Sequence, residues 1–117
     1  MLDDFTYLRK TRIGNGFVKE DVESYVRQLK TNIESLKQQL KEIMSAEYYE
    51  TFMNKFDINE ILADDYLEKN VRIKRLGGGY NKEDVMLYLD RINAIIAIFT
   101  EKIEAYNRPV NNNIFLS

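Results

Sequence analysis

The sequence predicts a mainly α-helical protein in which one turn-and-helix unit occurs twice. Three observations carry that reading. The run Arg12-Ile13-Gly14-Asn15-Gly16-Phe17-Val18-Lys19-Glu20-Asp21-Val22-Glu23-Ser24-Tyr25-Val26 returns 63 residues later as Arg75-Leu76-Gly77-Gly78-Gly79-Tyr80-Asn81-Lys82-Glu83-Asp84-Val85-Met86-Leu87-Tyr88-Leu89. Arg, both flanking glycines, Lys-Glu-Asp-Val and Tyr fall at matching places, the mark of a duplicated unit. Behind each turn comes an apolar ladder stepping four and three residues by turns, and the chain has one proline and five glycines in 117 residues. With 44% hydrophobic and 31% charged residues, that composition suits a folded helical chain rather than a disordered one.

Taken in order, the alternating Phe5-Thr6-Tyr7-Leu8 leads into the first turn as a short strand. Phe17 and Val22 can then form a hydrophobic staple, with Glu20, Asp21 and Glu23 at the positive end of the helix dipole and Val18 a poor cap. The first ladder is Val22, Val26, Leu29, Ile33, Leu36, Leu40 and Ile43. Its spacing is a heptad seam, and β-branched residues at two a positions with Leu at d lean toward two parallel strands. Next, Tyr48, Tyr49, Phe52, Met53 and Phe56 give one helical stripe, and Ile58, Ile61, Leu62 and Tyr66 another, with Asp57 and Glu60 spaced as a capping box. Val71 to Leu76 alternates like a short strand before the second turn.

In that second turn Asn81 occupies the N-cap, Asp84 can reach back to it, and Tyr80 with Val85 repeats the staple. The five glycines permit positive-φ backbone in the two turns. The second ladder, Val85, Leu89, Ile92, Ile96, Phe99, Ile103 and Tyr106, is widened by Tyr88, Ala94, Ile95, Ala97 and Ile98. A helix apolar on several sides is usually surrounded, so it is expected to sit centrally against the first helix and the connecting segment. Residues 107–117 break the helix and read as a flexible tail.

At 13.9 kDa the chain is too small for two independent cores, so the repeats are expected to share one domain over residues 1–117. Repeat 1 covers about 5–43, connecting helices about 44–68, and repeat 2 with its lead-in about 57–106. Cysteine and histidine are both absent, which removes thiolate and imidazole metal ligands, disulfides and the usual general base. The carboxylates at 20–23 and Asp64-Asp65 lack the spacing of a calcium loop, and an acidic helix start after Gly77-Gly78-Gly79 would repel a phosphate. No catalytic set, metal or cofactor is expected, and the protein reads as non-enzymatic. A net charge of -2 and a pI near 5.2 argue against a nucleic-acid surface. The acidic N-terminus and short apolar runs make the cytoplasm the expected location.

The Gly-aromatic turn, acidic first helical turn with valine, following aromatic and heptad ladder resemble the N-terminal domain of the bacterial DivIVA/GpsB cell-division proteins. The second copy, Gly79-Tyr80-Asn81-Lys82-Glu83-Asp84-Val85 followed by Tyr88-Leu89-Asp90-Arg91-Ile92, is the closer match, and Asp57 to Leu62 is similar to the family's preceding short helix. The resemblance implies a parallel coiled coil of two such units acting as a scaffold in division, polarity or envelope growth, at the inner face of the membrane. Two copies in one chain suggest a single-chain pseudo-dimer, the connecting helical segment running back along it.

Site residues carry over only in part. The resemblance implies partner binding, to arginine-containing tails of cell-wall synthases, through the turn aromatic and two carboxylates. Tyr80 and Asp90 match in the second copy, with Met86 in place of the other acid; Phe17 and Glu23 match in the first, with Arg27 in place of one. The family's aromatic-arginine membrane pair is replaced by Gly14-Asn15 and Gly77-Gly78, so insertion there is not expected; Lys74, Arg75 and Leu76 are the membrane-proximal candidates. Self-association through Tyr48, Tyr49 or Phe52 is left open. The competing reading is a helical interaction module of a mobile element or phage that occupies a host protein.

Overall fold

A computed structural model of the chain describes residues 16–73 and 78–107. Its described residues form five helices, α1 (Lys19–Ile43), α2 (Ala46–Met53), α3 (Ile58–Ile61), α4 (Tyr66–Asn70) and α5 (Lys82–Asn107), so the protein is mainly α-helical. The expected strand at 5–8, the glycines Gly14 and Gly77, the membrane-proximal candidates Lys74, Arg75 and Leu76, and tail residues 108–117 lie outside the described residues; Asn107, read as the start of the tail, is the last residue of α5.

The two ladders make the core. Along α1, Val22, Val26, Leu29, Ile33, Leu36 and Leu40 are buried, and along α5 Val85, Leu89, Ile92, Phe99 and Ile103 are. Each such side chain is worth roughly 1.5–3 kcal/mol on burial, so these residues dominate the fold's stability. Helix α1 packs on α5 directly. Their starts are tied together: Phe17 and Tyr80 form an antiparallel bridge, each N–H donating to the other's carbonyl at 2.9 Å. Tyr80 also bridges to Ile73. The described part of the alternating segment before the second turn, residues 71–73, therefore supplies an isolated pairing, not a strand.

The connecting segment touches α5 in reverse order along the helix. The Phe52 and Phe56 rings lie 5.8 and 5.5 Å from Phe99, and the Tyr88 hydroxyl donates to the Ile61 carbonyl at 2.6 Å. Tyr66 stacks on Tyr88 at 4.0 Å and 13°, and its hydroxyl accepts from Arg91 at 2.9 Å. Since α2 packs on both α1 and Phe99, α1 and α5 run side by side from the Phe17–Tyr80 bridge to the α2 end.

Helix ends follow local chemistry, with corrections to the sequence reading. Asn81 caps α5 as expected, its Oδ1 accepting from the Asp84 N–H at 3.0 Å. The return bond from Asp84 is not made: the Asn81 N–H donates to the Arg72 carbonyl at 2.8 Å, and Asp84 is held by Arg72 instead. Asp57 caps nothing with its side chain; its ψ of 56° departs from the extended backbone an N-cap needs. Ser45, with ψ 155°, does cap, its Oγ accepting from the Tyr48 N–H at 3.1 Å. Among the described glycines only Gly78 uses the left-handed region, at φ 70°.

Helix α5 packs against both α1 and the connecting segment, as expected, but the two do not enclose it. Tyr88 and Ile95 are buried, but Ala94, Ala97 and Ile98 face outward, because the returning segment covers the Tyr88–Ile95–Phe99 side and does not wrap the helix.

Candidate partner-binding groove

The turn that ends in Tyr80 is built as a latch. Arg72 sits just before it and Asp84 in the first turn of α5. The Arg72 guanidinium donates Nε to Asp84 Oδ2 at 2.8 Å and Nη2 to Oδ1 at 3.0 Å, and its peptide N–H donates to the same carboxylate at 3.0 Å. A bidentate pair of this kind fixes orientation as well as distance. These bonds hold the Asp84 carboxyl below the usual carboxylate range, the guanidinium acting first and the peptide N–H second. The latch and the bridge to Phe17 together leave Tyr80 little freedom.

Thus held, Tyr80 lies across the start of α1, 4% exposed. Its hydroxyl donates to Glu23 Oε2 at 2.7 Å, and the Lys19 ammonium lies 5.6 Å from its ring centre. Burial pushes its phenol up to about 12, and the Glu23 carboxylate, as acceptor and as charge, adds to the shift. At neutral pH the group is a hydrogen-bond donor.

Tyr80 and Glu23 line a groove of about 660 Å³. Its apolar base is made by the buried Val26, Leu67 and Tyr80, with the half-exposed Ile73 also lining it; one wall, on α1, carries Lys19, Glu23, Arg27 and Lys30, and the other carries Asp64 and Glu68. Lys30 is already used, donating to the Ala63 carbonyl at 3.2 Å and lying 3.7 Å from Asp64. No ion pair to Arg27 exists among the described residues. The groove therefore presents a cation on one wall and carboxylates around it, over an apolar base. Such a surface can hold an extended segment by burying an apolar side chain and pairing charges of both signs.

The sequence-nominated residues separate here. Tyr80 and Glu23, from different motif copies, meet in the groove. Phe17 is 2% exposed, so it supports the groove through its backbone bridge and the core. Asp90 is exposed on α5 and does not line this groove. The residues that sequence reading missed are of two kinds. Lys30 continues the Lys19, Glu23, Arg27 face of α1 at helical spacing and could have been found. Asp64, Leu67 and Glu68 reach the site only through the return path of the connecting segment, which leaves no local signal. Tyr48, of the aromatics considered for self-association, is exposed, whereas Tyr49 and Phe52 are in the core.

Among the described residues no group of three or more His, Cys, Asp or Glu side chains could hold a metal ion, and no helix is long and apolar enough to cross a membrane. Comparison with protein-family models, curated proteins and solved structures finds no match.

Proposed function

We propose that the protein is a non-enzymatic scaffold or adaptor of the DivIVA/GpsB kind, in which two copies of the turn-and-helix unit pair within one chain as a parallel coiled-coil pseudo-dimer. The observation that carries the reading is the meeting of the two turns: Phe17 and Tyr80, equivalent in the repeat, bridge each other, and the Tyr80 hydroxyl reaches Glu23 of the other copy. The groove beside them then takes a short segment of a partner protein working in division, polarity or envelope growth. An arginine of that segment pairs with Glu23 or Glu68, and an acidic neighbour pairs with Arg27, which stands where the family has a carboxylate.

Fluorescence titration with peptides from cytoplasmic tails of cell-wall synthases tests this. Binding should need the peptide arginine and fall about 10–100-fold in Glu23→Gln, the loss expected for one charge-assisted hydrogen bond of roughly 1.5–3 kcal/mol. Equal binding of an arginine-free peptide sinks the site. Diffuse fluorescence of a tagged copy, without enrichment at septum or poles, argues against the cellular role.

A further inference from the structure

Helix α5 carries a second stripe, on the side away from its buried ladder. Leu87, Arg91, Ala94, Ile98, Glu101 and Ala105 step four, three, four, three and four residues, the spacing of a heptad seam. All six are exposed, Leu87 at 66% and Ile98 at 40%, although Leu and Ile in a helix with an apolar core face are ordinarily turned inward.

The stripe is complementary to its own reverse. About Ile96, Leu87 and Ala105 lie nine residues to either side, Arg91 and Glu101 five, and Ala94 and Ile98 two. Turned end over end, it sets a large side chain against alanine at four levels and a cation against an anion at the other two. We propose that two copies of this protein pair through α5, antiparallel, about a two-fold axis at Ile96.

The surface is shaped for this. Ile98, Glu101, Lys102 and Ala105 stand at i, i+3, i+4 and i+7, the four corners of a knobs-into-holes socket, and with Phe52 they line a depression of about 410 Å³. The antiparallel register brings the second copy's Arg91 over that socket, beside Glu101. Glu101 makes no ion pair among the described residues. Arg91 donates one N–H to Tyr66 and lies 3.8 Å from Glu60, with its side chain 42% exposed, so its guanidinium keeps donors for a second carboxylate. An alanine at four of the six levels allows the helices a close approach. A second copy fits better than a foreign helix because size and charge complementarity are both internal to the stripe, as an isologous contact requires.

Sedimentation equilibrium of the full chain between about 1 and 500 µM tests the proposal. A monomer–dimer equilibrium is expected, weakened at least tenfold by Glu101→Lys and by Leu87→Ser, with helical circular dichroism and melting unchanged when measured on dilute, monomeric chain, because both positions are exposed. The chain has no cysteine, so register is readable. Mixed Leu87→Cys and Ala105→Cys chains should cross-link to each other, whereas Leu87→Cys alone should not, its two copies lying about 27 Å apart along the axis at 1.5 Å per residue. A monomer at every concentration, a dimer indifferent to both substitutions, or ready 87–87 cross-linking would each overturn it.

Discussion

Replacing Tyr88 by Phe removes one oxygen from the centre of the molecule and nothing else. The ring is fully buried, stacked on Tyr66 at 4.0 Å, and phenylalanine keeps that stack and the ring's volume. What goes is the bond to the Ile61 carbonyl, which at 2.6 Å is the shortest side-chain hydrogen bond among those described here. That carbonyl belongs to a buried residue at the last position of α3, where no further helical turn follows to supply a donor. A buried acceptor left unpaired costs about 1–3 kcal/mol, against a total stability of about 5–15 kcal/mol for a domain of this kind. Urea unfolding followed by circular dichroism should show that loss as a lower midpoint at an unchanged slope, since the surface exposed on unfolding is the same. In a thermal scan the same loss lowers the midpoint by about 4–8 °C per kcal/mol. A loss below about 0.5 kcal/mol would refute the reasoning, because it would mean that water reaches the Ile61 carbonyl and the connecting segment is not sealed onto α5.

Two further predictions concern pH. The Tyr80 phenol is raised to about 12, so its neutral form is the one the fold favours. The stability it contributes is complete below the unfolded value near 10 and is lost as pH rises toward about 12; Tyr80→Phe should flatten part of that alkaline decline in urea titrations. Asp84 has the opposite sign: its lowered carboxyl stabilises the fold above the unfolded value near 3.8 and loses that contribution as pH falls further, so Asp84→Asn should be less stable at neutral pH and less acid-sensitive. The caps give a paired test: Ser45→Ala should cost about 1 kcal/mol in unfolding free energy, and Asp57→Ala close to nothing; equal losses would contradict the cap geometry.

The two long helices were legible because their ladders repeat over many turns, and a period that long overrides any single residue. Asn81 was legible for a different reason, as an amide followed three residues later by an acidic residue just before an apolar run. Asp57 is likewise followed three residues later by an acidic residue and fails, since capping depends on the cap's backbone, and the ψ of 56° at Asp57 is not extended. Asp84 has the spacing of a capping box, but the Asn81 N–H already has the Arg72 carbonyl, and Arg72 is twelve residues from Asp84 in sequence. The groove divides the same way. Its α1 wall is a helical face and can be read by spacing, while its other wall is assembled by tertiary return and cannot.

If the two motif copies are pseudo-equivalent halves of one chain, they are released from the need to stay alike. Two identical subunits would carry two identical grooves. Here Tyr80 has a hydroxyl where Phe17 has none, Glu23 is matched by Met86, and Arg27 by Asp90. The bond from Tyr80 to Glu23 therefore has no mirror, because neither Phe17 nor Met86 has a polar group to make one. On the proposed function, each chain holds one partner segment and not two. Calorimetric titration with an arginine-bearing tail peptide should saturate at one peptide per chain, and Tyr80→Phe should weaken binding by loosening Glu23 while the stoichiometry stays at one. Two equal sites per chain would mean that recognition uses only what the halves still share, the backbone of the turns and the apolar seam, and that the divergence at 17/80, 23/86 and 27/90 has no part in it.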